Sequence, residues 1–212
     1  MRSVWLVTAL SALSWAAVSA QPQSFLSALV ATGPITYFVE EGAADSGYRD
    51  GDRQLAAWAL DAWARSAGGA LTFEASAAST ALIQVHWVRA EDGRYGEMTP
   101  LLVNGQRGAA VYIRPDTEGL GDVSRRARED PLLRDTIVYL TCLHELGHAL
   151  GLAHTAAYAD IMYAFGYGGD IPRYFGRYRE QLSSRADIAK VAGLSADDVK
   201  RLRELYPRGG RP

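Results

Sequence analysis

The 212-residue chain has one cysteine, Cys142, so no internal disulfide can form. A chain of this length does not need one, because a core of ordinary size stabilises it. Charge of one sign is also missing. Lys and Arg total 22 against 24 for Asp and Glu, a net charge of −2, which argues against nucleic acid or an anionic membrane surface as partner. Long apolar runs are confined to residues 4–18, behind Arg2 and ahead of Val18-Ser19-Ala20, small residues suited to a signal peptidase. Residues 1–20 therefore read as a signal peptide and the product as a secreted or periplasmic protein, with an uncleaved N-terminal anchor as the competing reading. Internal repeats are absent, and residues 21–212 read as a single domain.

What is present alternates between strand and helix signals. Residues 35–39 are β-branched and aromatic between Gly33-Pro34 and Gly42, a first strand. Leu55, Trp58, Ala59, Ala62 and Trp63 recur at helical spacing over residues 52–67, which reads both tryptophans as core rather than as a stacking platform. Residues 71–75 and 81–88 follow as strands, the latter with Ile83, Val85 and Trp87 on one face and Gln84 and His86 on the other. His86 reads as a strand histidine. Residues 94–103 contain Pro100, which suits an edge strand, and residues 109–114 form a further strand. Asp116, Glu118 and Asp122 among glycines could bind calcium, but a solvated turn is the preferred reading. A long helix is expected from about Pro131, and Ser195-Ala196-Asp197-Asp198 resembles a capping box that opens a last helix.

The chain has four histidines, and three of them stand in His144-Glu145-x-x-His148-x-x-Gly151-x-x-His154. His144 and His148 lie one helical turn apart, so both rings project from one face and can grip one zinc ion. Glu145 lies next to the first ligand, where it can take a proton from water. Gly151 supplies the left-handed turn that ends the helix and returns His154 as a third ligand, leaving a fourth position open. Cys142, about 200° around the helix from His144, points away from the metal face and reads as a small buried hydrophobe.

This motif, followed by Asp160-Ile161-Met162-Tyr163, resembles the metzincin clan of zinc endopeptidases, in which a tight turn places a methionine beneath the metal without binding it. Met162 is the matching residue. The Met-Tyr pair and the ending from Leu194-Ser195-Ala196-Asp197-Asp198-Val199 to Leu205-Tyr206 are most similar to matrixins. The resemblance implies an α+β fold with a twisted, mixed five-stranded sheet and one antiparallel edge strand. A helix would carry the zinc motif, and a small C-terminal subdomain would hold a final helix. Residues 33–151 would form the upper part, 152–206 the lower part and 207–212 a flexible tail. Thr155 stands where matrixins usually carry serine, no cysteine-switch segment precedes the domain, and a second, structural zinc lacks histidines to hold it. Residues 164–193 form a longer stretch than a minimal matrixin needs.

The resemblance implies hydrolysis of peptide bonds by a zinc-activated water, with Glu145 as general base. Peptide or protein substrate would pair along the edge strand at Gly96, Glu97 and Met98. Tyr163, Phe165 and Tyr167 would wall the pocket beside the metal, with Gly166, Gly168 and Gly169 loosening that loop, or would simply cover the lower core. Arg173, Arg177 and Arg179 read as a solvated basic face. A monomer holding one zinc, free of nucleic acid and membrane after signal cleavage, is expected. The competing functions are a zinc-stabilised interaction protein without turnover, which the presence of Glu145 disfavours, and a hydrolase of small amides or esters.

Overall fold

The computed structural model describes residues 26–30, 33–92 and 94–208. The expected signal peptide and most of the expected tail lie outside them. Five strands, β1 (Ile35–Val39), β2 (Phe73–Ala75), β3 (Ile83–Trp87), β4 (Gly96–Val103) and β5 (Gln106–Ile113), form one sheet in the order β2-β1-β3-β5-β4. All neighbours are parallel except β4 and β5, so β4 is an antiparallel edge strand, as the sequence led us to expect. Helices α1 (Asp52–Ser66), α2 (Asp122–Glu129), α3 (Pro131–Ala149), α4 (Ile171–Arg179) and α5 (Ala196–Leu205) complete the fold. The whole is the mixed-sheet α+β architecture that the resemblance to metzincins implies.

The β4–β5 hairpin is longer than the sequence reading made it, because β5 begins at Gln106 rather than near Ala109. Asn104 and Gly105 both have positive φ, 51° and 80°, and join Val103 to its partner Gln106. A two-residue Asn-Gly turn of this kind matches the right-handed twist of the two strands, so pairing continues up to the turn itself. Along β3 the pattern is as expected, with Ile83, Val85 and Trp87 buried and Gln84 and His86 between them half-exposed. His86 is tied to Glu40 (Nδ1 to Oε2, 2.9 Å) and stacks on Tyr112, which gives it a structural place outside the histidine cluster.

Helix α3 runs through the core and carries the first two histidines. Its start is set by Asp130, whose carboxylate accepts from the backbone N–H groups of Leu132 and Leu133, ahead of Pro131 in the first turn. Trp63 of α1 is fully buried and donates its indole N–H to the Leu143 carbonyl at 3.0 Å, fixing α1 against the middle of α3. Trp58 differs from expectation. It is only half-buried and lies under the Arg185 guanidinium, 5.1 Å away, so one tryptophan of the pair belongs to the core and the other to its margin. A buried ion pair between Arg134 and Asp52 joins the first turns of α3 and α1, and Arg134 also donates to the carbonyls of Gly47 (2.9 Å) and Pro115 (3.1 Å). Removing either partner would strand a charge in the core, at a cost of about 3–5 kcal/mol.

Two helices were not foreseen. Helix α2 occupies the end of the supposed loop. Only Val123, Ser124 and Ala127 of it are buried, too few apolar positions for a legible stripe. The acidic residues around it serve arginines: Asp116 pairs with Arg114, Glu118 with Arg128 and Asp122 with Arg125. Helix α4 lies inside the stretch 164–193. There Arg177 donates to the Tyr158 carbonyl and stacks over Tyr174 at 4.3 Å, while Arg179 pairs with Asp130 at 2.8 Å. The supposed basic face of Arg173, Arg177 and Arg179 is therefore an inward-turned set of structural contacts, with Arg173 alone left exposed.

Candidate metal centre

Three histidines converge at the end of α3. His144 and His148 face one side of the helix, which ends at Ala149. Gly151, at φ 102°, then reverses the chain. A side chain at position 151 would be strained by that φ and would also meet the Ser27 carbonyl oxygen at 2.5 Å. His154 returns so that its Nε2 lies 3.2 Å from that of His144 and 3.0 Å from that of His148.

Those nitrogens are donors to a cation rather than to one another. The Nδ1 of His144 faces the Ile161 carbonyl at 2.6 Å and that of His148 faces the Leu152 carbonyl at 2.8 Å. A carbonyl oxygen only accepts, so each Nδ1 carries the proton and each Nε2 presents a bare lone pair. Burial first, then the neighbouring imidazoles, push His144 down to about 3 and His148 down to about 4. His154 is lowered by burial as well. Neutral rings with converging lone pairs need a positive ion between them. Tetrahedral zinc at about 2.0–2.1 Å from each nitrogen would set those nitrogens about 3.3 Å apart, close to the spacing found. The donor set fits zinc.

Glu145 is 7 % exposed and reaches the edge strand, where a side chain at Gly96 would meet its Oε1 at 2.5 Å. Its carboxyl is pushed up to about 8, by burial first and then by the charge of Glu97. Beneath the helix, Met162 is fully buried with its sulfur packed against Gly147, between the first two histidines. The turn that carries it is tied back to the third histidine, since Thr155 N–H donates to the Met162 carbonyl (2.8 Å) and Ala164 N–H to the Thr155 carbonyl (3.1 Å). Thr155, the residue that departs from the usual serine, donates its hydroxyl to Asp160 at 2.8 Å.

A cleft of about 740 Å³ opens over these groups. Gly96, Glu97, Met98, Tyr163, Phe165 and Tyr167 all border it together with the histidines. They are not equivalent. Met98 and Tyr163 are 1 % and 4 % exposed and belong mainly to the core, whereas Phe165 at 39 % and Tyr167 at 67 % stand open to solvent. Glu97 pairs with Tyr112, in the cross-strand row that also holds His86, so it marks the rim of the cleft. Sequence reasoning missed Ile171, Tyr174 and Phe175 of α4 on this wall. Asp170 followed by Ile171-Pro172 was the available signal, because Asp170 caps α4 by accepting from Arg173 N–H at 2.9 Å.

Residues 30–171 match the family profile of the matrixins. The chain belongs to the matrixin family. Matrixins are zinc metallopeptidases, and the three converging histidines give this matrixin a place for the metal. The matched region ends at the first residue of α4, so most of that helix and the whole of α5 lie beyond it. No curated protein matches the chain.

Proposed function

We propose that the chain is a secreted or periplasmic zinc-dependent endopeptidase, monomeric, that hydrolyses peptide bonds with Glu145 as general base. The observation that carries this reading is the position of Glu145, beside three convergent imidazoles and against the edge strand that borders the cleft. His144, His148 and His154 would hold the ion, which would supply there the Lewis acidity that lowers the pKa of water toward neutrality. Glu145 takes the proton of the attacking water and returns it to the departing amine. The charge of Arg94 favours its carboxylate form and opposes the upward pull of burial and of Glu97. Met162 packs against Gly147, between the first two histidines in sequence, and helps to hold that turn of α3 rigid.

Substrate pairs along β4 at Gly96 to Met98 as an added strand. Phe165, Tyr167, Tyr174 and Phe175 line an apolar wall that favours a bulky side chain next to the scissile bond. The long open cleft and the edge strand favour peptides over small amides or esters. Glu145 itself favours turnover over a merely zinc-stabilised interaction protein. Export is supported by the sequence of residues 1–20, and among the described residues no helix is long and apolar enough to cross a membrane. Calcium has no role in this reading.

The test is cleavage of a mixed peptide library by the zinc-loaded protein and by Glu145→Ala, read by mass spectrometry beside metal content. Cleavage by the native chain only, with one zinc in each, is the expected result. No cleavage by either, with zinc bound in both, overturns the peptidase assignment.

A further inference from the structure

Residues 26–30 pass the turn at the end of α3, and the first of them, Leu26, borders the cleft there. Three contacts hold them there. The Ser27 carbonyl oxygen and the Ala28 nitrogen press on Gly151, where a Cβ would lie 2.5 Å and 3.0 Å from them. Leu29 N–H donates to the Tyr206 hydroxyl at 2.8 Å, and that hydroxyl donates on to the Leu150 carbonyl, also at 2.8 Å. The Leu29 side chain is 4 % exposed and anchored in the core. Leu26 is different. It is half-buried, and it borders the cleft together with His148, Ala153 and His154.

This end lies opposite the aromatic wall. Helix α4 meets the start of α3, through Arg179 and Asp130, whereas residues 26–30 meet the turn just past its end. From Ile137 to His148, the α3 residues that border the cleft span about 16 Å at 1.5 Å per residue. An extended peptide covers that length with about five residues at 3.3 Å each. A substrate long enough to use the α4 wall therefore reaches Leu26 on the other side of the scissile bond.

We propose that residues 26–30 are a strap that completes the substrate cleft, with Leu26 as a specificity-determining residue for an apolar substrate side chain. The proposal rests on the peptidase reading of the same cleft. Leu29 and the Tyr206 relay hold the strap in place before substrate arrives, so little ordering is left to oppose binding. Leu26 supplies apolar surface that is only partly covered, and a substrate side chain laid on it removes water from both.

The experiment separates binding from turnover. Fluorescent peptides varied one position at a time are titrated into zinc-loaded Glu145→Ala protein, with and without Leu26→Ala or Leu26→Glu. Library cleavage is read in parallel on the same substitutions with Glu145 intact. Melting temperature and zinc content are checked for each protein. With the native strap, one position on the side of the scissile bond away from the aromatic wall prefers Leu, Ile or Val over Ala and Lys. Leu26→Ala weakens that preference roughly tenfold. Leu26→Glu turns it toward Lys and Arg, and preferences on the aromatic side stay as they were. An unchanged profile at every position overturns the proposal, as does an equal loss for all peptides accompanied by a lower melting temperature. Failure of every peptide to bind overturns it too. A binding profile that responds to Leu26 in a chain that cuts nothing would sink the peptidase reading and leave the strap standing.

Discussion

Replacing Asp160 by asparagine should destabilise the protein. Asp160 is 1 % exposed, and its carboxylate accepts from Ser195 Oγ at 2.7 Å, Arg201 Nη2 at 2.7 Å and Thr155 Oγ1 at 2.8 Å. It therefore joins the residue after the third histidine to the cap of α5. An asparagine side chain could keep two of the three acceptor contacts but would lose the charge that Arg201 faces. Breaking a buried charged pair costs about 3–5 kcal/mol, and the lower end applies because Arg201 retains Asp198 at 2.9 Å and is partly exposed. For a domain of this size, about 3 kcal/mol corresponds to a fall of about 6–12 °C in melting temperature. The effect should depend on pH in a definite direction. Burial raises the Asp160 carboxyl, but the hydrogen bonds from Arg201, Ser195 and Thr155 and the charge of Arg201 outweigh it and hold the carboxyl below its ordinary value. Stability from a lowered carboxyl is complete above the ordinary range near 4 and disappears as pH falls through the lower folded value. Differential scanning calorimetry of native chain and Asp160→Asn should thus show a gap at pH 7 that closes on acidification below about pH 4. A melting temperature within about 1 °C of native at pH 7, or a gap unchanged at pH 3, would refute the reasoning.

Gly96→Ala puts a methyl group 2.5 Å from the Glu145 Oε1, so kcat should fall by about 10²-fold or more while zinc content and melting temperature stay near native; a near-native kcat would show that Glu145 can shift without loss. Cys142 is fully buried and its thiol is pushed far up, by burial first, so iodoacetamide should label it only after denaturation, and rapid labelling of the native protein would count against the packing described for α3.

Legibility of the sequence followed the strength of local chemistry. The convergence of the three histidines could be read, because His144, His148, Gly151 and His154 are fixed to one another by helical geometry and one left-handed turn. Helix α5 was equally plain, since the Ser195 and Asp198 side chains each bond the other's backbone N–H, and the motif that encodes this spans four residues. Helix α4 was not. Its buried Tyr174, Phe175 and Tyr178 are interrupted by Gly176 and arginines, so its pattern resembles a polar loop until Arg177 and Arg179 are seen to turn inward. The Arg134–Asp52 pair joins positions 82 residues apart, which no local pattern announces. Leu26 escaped notice for the same reason. Its place is set by Gly151 and Tyr206, both more than 120 residues downstream.

The orientation of the first two histidines rests on the carbonyls of Ile161 and Leu152 rather than on carboxylate side chains. A carbonyl belongs to the main chain, so no single substitution at position 161 or 152 can delete the acceptor. Side chains there are free to drift over evolutionary time, or to be recoded in a laboratory, without changing which ring nitrogen carries the proton. The vulnerable points are then displaced to whatever fixes the path of those two segments, such as Gly151 and the Asp160 and Asp198 carboxylates. A mutational scan that scored ligand aim should find its sensitive positions one step removed from the rings, in residues that never approach the metal.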